Sequence, residues 1–294
     1  MGPKVSIIIP TCDRPELLDR AVASVLDQDM DDWECIIVND GGKYACSHKD
    51  PRIRHVFKEK RCGLPAAINS GLEIAAGRYV CVLGDDDWLA PSHFRILSTY
   101  LERHPSVPAA YTDAKRVWFD RNGREMKRET AFGWNFSRNR LEAGNYIPAI
   151  SVMHRRELLN VIGLYDTNLE RLEDWDMWLR ISRMFGDFVR IPKTTAFIRW
   201  STDGTTMSSV GRESGGIWEN TERRIREKHG LPSTAGCRKT ASSVAPGFLD
   251  GIGLVVPMLW SKIVGRPTRR ACGIRRLWKR IAQLLDRVSE KSRS

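Results

Sequence analysis

Val5-Ser-Ile-Ile-Ile-Pro10-Thr11-Cys12-Asp13-Arg14 is the stretch on which the fold turns. A short β-branched run ended by proline reads as a strand buried on both faces, the kind found in a parallel sheet, rather than as a helix. Pro15 then opens a helical pattern, with Leu17, Leu18, Ala21, Val22, Val25 and Leu26 at three- and four-residue spacing. Trp33 to Val38 is a second predicted strand, halted by Asn39-Asp40-Gly41-Gly42, and Ile53 to Phe57 a third. Ala66 to Ala76 is a predicted helix ended by Gly77. Tyr79 to Leu83 is a fourth strand, followed by Gly84-Asp85-Asp86-Asp87 and a helix from Ser92 to His104. Strand and helix alternate, which predicts an α/β fold: a Rossmann-like, mostly parallel central sheet flanked by helices on both faces.

Beyond that the rhythm changes. Ala109 to Thr112 and Val117 to Phe119, the latter before an Arg121-Asn122-Gly123 turn, predict two short strands. Thr130 to Pro148 is aperiodic and reads as a loop. Asp174 to Phe185 is a helix, and Phe188 to Ile191 and Thr194 to Arg199 close the domain as strands. The shift to Ser, Thr, Gly and Pro between Leu231 and Gly247 marks a linker.

Composition narrows the function. With 294 residues and 41% hydrophobic content the chain can build a sizeable core. Its seven cysteines, Cys12, Cys35, Cys46, Cys62, Cys81, Cys237 and Cys272, form no C-x-x-C pair, so reduced thiols are expected. No basic segment followed by a long apolar run precedes Val5, so a cytoplasmic location is expected. The formal net charge is +11, yet residues 235–294 hold thirteen Lys or Arg against Asp250, Asp286 and Glu290. The first 234 residues are therefore close to neutral, and no nucleic-acid partner is expected for them.

The first strand is followed neither by G-x-G-x-x-G nor by a Gly-rich loop ending in Gly-Lys-Ser/Thr, so hydride transfer and ATP hydrolysis of those types lack support. Asp85-Asp86-Asp87 stands directly after a buried strand, where open α/β sheets bind ligands. Adjacent carboxylates repel, and Mg²⁺ or Mn²⁺ relieves this by taking one or two of them with the oxygens of a diphosphate; the alternative is a solvated loop before the helix at Ser92. Asp40, at the end of the second strand, could accept hydrogen bonds from a base or ribose, or simply form the turn before Gly41. In Glu173-Asp174-Trp175-Asp176 the acidic residues suit a helix start, and one of them, if partly buried, suits a general base.

Val5–Asp13, Asp40, Gly63-Leu-Pro-Ala-Ala-Ile-Asn69-Ser-Gly71, Ala75–Tyr79, Gly84–Asp87 and Glu173–Asp176, in that order, resemble the family 2 glycosyltransferases of GT-A fold, over about residues 3–205. The resemblance implies inverting transfer of a sugar from a nucleotide diphosphate donor to an acceptor hydroxyl, with Mn²⁺ or Mg²⁺. It assigns Pro10, Thr11, Asp13, Asp40, Asn69, Asp85 and Asp86 to the donor, of which Thr11, Asp13 and Asp40 hold the nucleoside. It assigns Asp85 and Asp87 to the metal and Asp174 to the general base. Where the family often has an arginine, this chain has Ile68, and Arg61, Arg78 or Arg199 is expected to replace it. Arg199-Trp200 matches the end of the Q-x-x-R-W of processive synthases, but Ala196 stands at the glutamine position, which favours single addition.

The expected organisation is a catalytic domain over residues 1–230 (donor half 1–105, acceptor half 106–230), a linker over 231–246 and a basic tail over 247–294. Gly247 to Val264 is apolar but interrupted by Asp250 and Lys262. After Pro267 the pattern is that of a basic amphipathic helix, with Ile274, Leu277, Trp278, Ile281, Leu284, Leu285 and Val288 on one face and Arg275, Arg276, Lys279, Arg280 and Arg287 around the other. Such a helix suits an anionic membrane surface at the cytoplasmic face, near a saccharide or lipid-linked acceptor; packing on the domain or on a second subunit is the alternative. Two other functions are alternatives: a sugar-nucleotide nucleotidyltransferase and a catalytically inactive nucleotide-binding module.

Overall fold

Every residue of β1 (Val5–Thr11) and of β2 (Trp33–Asp40) is buried, as strands covered on both faces require. The computed structural model describes residues 2–201 and 216–233. Parallel pairing sets β3 (Ile53–Lys58) beside β2, β2 beside β1, and β1 beside β4 (Tyr79–Val82). The sheet continues through β8 (Val152–Arg155), β6 (Ala109–Phe119), β9 (Val189–Ser201) and β5 (Trp88–Leu89), with β7 (Glu125–Phe132) as a hairpin partner of β6. The pairs β4–β8, β6–β8 and β5–β9 are antiparallel.

Alternation along β1 feeds two cores. Ile7 and Ile9 face α1 (Pro15–Leu26) and α3 (His93–Arg103), packing with Leu18, Val22, Phe94 and Leu97. Ile8 faces α2 (Leu64–Ile74) and α6 (Glu173–Phe185), with Ala67, Ile68, Leu72 and Trp178. At about 1.5–3 kcal/mol for each buried isoleucine, this short run contributes an amount comparable to the whole net stability of a domain. Gly71 lets α2 settle on β1: a Cβ there would stand 2.5 Å from Ile8 Cγ2. Because β2 lies on one side of β1 and β4 on the other, with their crossover helices on opposite faces, the chain reverses direction across the sheet at β1. The crevice at the carboxyl ends of β1 and β4 is the place such a sheet offers a ligand.

Several boundaries differ from expectation. β2 runs on through Asn39 and Asp40, which pair with Phe57 and Lys58, and the turn waits for Gly41 at φ 88°. The expected pair of short strands is one strand, β6, whose register against β9 shifts on either side of Asp113. The closing pair is likewise one strand, β9. Part of the expected loop is β7, and Arg138–Ala143 within it is a short helix, α4. A helix α7 (Ile217–His229) lies across α6. The expected linker beyond residue 233, and all of the basic tail, lie outside the described residues. Among the described residues no helix is long and apolar enough to cross a membrane.

Candidate active site

The crevice opens into a cavity of ≈ 960 Å³. One wall is formed by the loop leaving β1 and the turn after β4; another is formed by the amino end of α6 with residues 145–150, and Trp200 and Trp218 also line the cavity.

On the first wall the acidic triplet is held by its neighbours. Thr11 Oγ1 donates to Asp85 Oδ2 at 2.8 Å, and Arg14 Nη1 approaches Asp85 Oδ1 at 3.3 Å and Asp86 Oδ2 at 3.7 Å. Burial and the Asp86 charge push the Asp85 carboxyl up to about 6, against the opposing pull of Arg14 and Thr11. Asp87 is raised well above the usual carboxylate range, first by burial and then by Asp86, although its Oδ1 accepts the Arg199 N–H at 2.9 Å. Gly84 leaves room for two of these groups: a Cβ there would stand 3.0 Å from Asp86 Oδ1 and 3.2 Å from Asp87 Oδ2. Among the described residues no three His, Cys, Asp or Glu form a self-sufficient metal cage. Crowded carboxylates that burial makes reluctant to ionise do fit a hard divalent cation that completes its shell with phosphate oxygens and water.

The remaining residues assigned to the donor divide. Pro10, Thr11, Asp40, Asp85 and Asp86 line the cavity, as does Asp87, whereas Asp13 and Asn69 are not among its lining residues. Asp40 uses both oxygens, each 2.8 Å from an acceptor-seeking amide, to hold the N–H groups of Cys62 and Gly63 at the start of α2. Asp13, at φ 51°, turns its exposed carboxylate to the Lys43 N–H at 3.3 Å. Asn69 clamps the backbone of Tyr165, donating to its carbonyl at 2.8 Å and accepting its N–H at 2.9 Å, and so ties the two halves together. Of the three arginines considered for the Ile68 position, only Arg61 lines the cavity. Arg78 lies at the amino end of β4 over Tyr79, and Arg199 stacks 4.0 Å over Phe119. Arg14, Arg116 and Arg171 do line it, and sequence reasoning passed over them. The position of Arg14, four residues after Pro10 in the loop that leaves the first strand, was the available signal.

On the other wall Leu172 adopts a left-handed conformation (φ 58°), and the helix that follows begins with Glu173 and Asp174 at the cavity. Asp174 Oδ2 accepts Asn145 Nδ2 at 2.8 Å and its Oδ1 accepts the Trp175 N–H at 2.8 Å. Burial nonetheless raises its carboxyl, and burial together with the Asp174 charge raises Glu173. Trp175 and Trp178 are not among the lining residues; the Trp178 indole donates to the Ile147 carbonyl at 3.0 Å, fixing a residue of that wall, and the Trp175 indole donates to the Leu141 carbonyl of α4 at 2.6 Å. Asp176 points away and is wholly buried among Arg180 (2.9 Å), Lys228 (2.9 Å) and His229 (2.8 Å), which hold it well below the usual range against the cost of burial. Of the acidic run, Glu173 and Asp174 serve the cavity and Asp176 serves the fold.

A single cavity is thus lined both by crowded carboxylates and by a carboxylate of raised proton affinity. The family model described as Glycosyl transferase family 2 matches residues 6–159, just over half of the chain. The uncharacterized protein y4gI of Sinorhizobium fredii is 30% identical over 80% of this chain and 26% of its own length. The uncharacterized glycosyltransferase YwdF of Bacillus subtilis is 29% identical over 78% of this chain and 85% of its own. The amylovoran biosynthesis glycosyltransferase AmsE of Erwinia amylovora is 27% identical over 65% and 73%. The crystal structure of S. aureus TarS 1-349 in complex with UDP-GlcNAc superposes with a TM-score of 0.56 at 19% identity, over 70% of this chain and 61% of that one. The chain spans about a quarter of y4gI and most of YwdF.

Proposed function

The chain belongs to glycosyl transferase family 2, and from that premise we propose that it is a metal-dependent, inverting transferase that moves a sugar from a nucleotide diphosphate donor, with UDP as the nucleotide, to a hydroxyl of a saccharide or lipid-linked acceptor. The observation that carries the reading is that Asp174 and the triplet Asp85–Asp87 line the same cavity. The name of AmsE and the ligand of the TarS crystals support a step in polysaccharide synthesis fed by a UDP-sugar. A nucleotidyltransferase would be expected to carry a Gly-rich loop after β1, where this chain has Pro10–Arg14.

In this reading Asp174 takes the proton of the acceptor hydroxyl. The acceptor oxygen then forms a bond to the anomeric carbon from the side opposite the diphosphate, and the carbon–oxygen bond to the diphosphate breaks with its electron pair leaving on the phosphate. Asp85 and Asp87 would hold Mn²⁺ or Mg²⁺, whose chemistry is to neutralise the charge that grows on that leaving group. Thr11 and Arg14 keep the Asp85 carboxylate in place, and Asn145 orients Asp174. Residues 1–230 form the catalytic unit, and the tail over 247–294, through its basic amphipathic pattern, rests on an anionic membrane surface where a lipid-linked acceptor would be found. Incubating the protein with a panel of nucleotide sugars and Mn²⁺ and measuring nucleotide diphosphate release tests the function. Release from one donor, stimulated by acceptor and lost with chelator, is the expected result; no release from any donor, with or without saccharide acceptors, contradicts it.

A further inference from the structure

Arg14 contacts the acidic triplet, yet its only part in the reaction described above is to steady Asp85. It stands at the amino end of α1, on the loop leaving β1. One nitrogen, Nη1, makes both contacts, at 3.3 Å to Asp85 and 3.7 Å to Asp86, and its side chain is 30% exposed where that of Asp85 is 9%. For Nε and Nη2 no hydrogen-bond partner occurs among the described residues. Charge-assisted bonds of this kind usually measure about 2.7–2.9 Å and often engage two nitrogens at once. The Arg190–Asp113 pair of this protein shows that form, with Nε at 2.6 Å and Nη2 at 2.8 Å. By that standard Arg14 is loosely held.

Adjacent buried carboxylates need a counter-ion, and a guanidinium cannot lose its charge to escape the role. A divalent cation competes for the same oxygens with twice the charge, while the planar fork of an arginine matches phosphate oxygens. Ile68, on the cavity lining, brings no charge. We propose that Arg14 is an exchangeable counter-ion: it neutralises Asp85 and Asp86 when no cation is bound, and a bound cation displaces it onto the diphosphate of the donor. This rests on reading the cavity as a nucleotide diphosphate site. Loading is then ordered, because displacement of Arg14 by the cation creates part of the diphosphate site.

The two halves of the exchange shift affinity in opposite directions when Arg14 is removed, which a merely structural arginine would not do. Calorimetry of Mn²⁺ alone, and of UDP at saturating Mn²⁺, is to be compared between the wild-type chain and Arg14→Gln, with thermal unfolding as a check on folding; Arg14→Met, an uncharged chain of similar reach, repeats the measurement should the first variant unfold. The expected result is that Mn²⁺ alone binds about two- to fivefold more tightly, while UDP binds roughly 10- to 100-fold more weakly. Mn²⁺ affinity that falls or stays constant, or UDP affinity that stays constant or rises, overturns the exchange while leaving the donor site standing. A wild-type chain that binds neither Mn²⁺ nor UDP overturns the donor site and the exchange together.

Discussion

Asp87 and Asp174 are both carboxylates that burial makes reluctant to ionise, and the proposed chemistry uses the two in different ways. Asp87 belongs to a set that repels itself, so removing its charge should not unfold the protein. Asp87→Asn keeps an oxygen for the Arg199 N–H. Its thermal midpoint is expected to be unchanged or higher, while Mn²⁺-dependent UDP binding by calorimetry falls about tenfold or more; unchanged affinity contradicts the metal assignment. Asp174 must be ionised to accept a proton, and its carboxyl is raised to about 6. The sign is therefore fixed: kcat/KM declines as pH falls through about 6 and is level just above it, whereas an unperturbed aspartate would place that limb near about 3.9. A measured limb near 4 contradicts the burial argument. Asp85, Asp86, Asp87 and Asp174 were legible as cavity residues because each stands where a strand or a helix begins or ends. Asp13 and Asn69 were not, because only tertiary contacts reveal that Asp13 faces Lys43 and that Asn69 is consumed by the Tyr165 backbone.

β1 and β2 could be read from the sequence because their apolar residues pack on both faces. β7 was missed because Glu125–Arg128 is wholly exposed, and an exposed polar strand carries no hydrophobic alternation. β6 was split in two because Asp113, Lys115 and Arg116 interrupt its apolar run, although the strand continues through them with register shifts against β9. α6 was read correctly, but the division of labour on it was not, since Asp176 becomes a structural group only when α7 supplies Lys228 and His229. The partners of Asp176 hold its folded pKa below the unfolded value, so its stabilisation is present above about pH 3.9 and is lost as pH falls below that. Arg180 retains the carbonyls of Ile162, Gly163 and Leu164 when Asp176 is neutralised, which limits the damage. Asp176→Asn is expected to cost about 2–3 kcal/mol in denaturant unfolding at pH 7, with the gap to wild type closing below about pH 4. Equal stability at pH 7 contradicts the role of Asp176 in docking α7.

At the scale of the molecule, two halves of different construction meet in one cavity. The first is a parallel sheet with its direction change at β1; the second is a mixed extension, antiparallel through β8 and parallel between β6 and β9, in which α6, clamped to the first half through Asn69 and Tyr165, presents Asp174. The α/β class and the parallel half could be read from alternation alone, because each element there has its own period. The meeting of the halves could not, since it depends on contacts between residues as far apart in the chain as Asn69 and Tyr165. Donor binding and proton removal are then separable, one on each wall. Measured on one sample, Asp174→Asn should bind UDP and Mn²⁺ as the wild-type chain does while its transfer rate falls about 10²–10⁴-fold; transfer near the wild-type rate, or donor binding lost together with transfer, would contradict it.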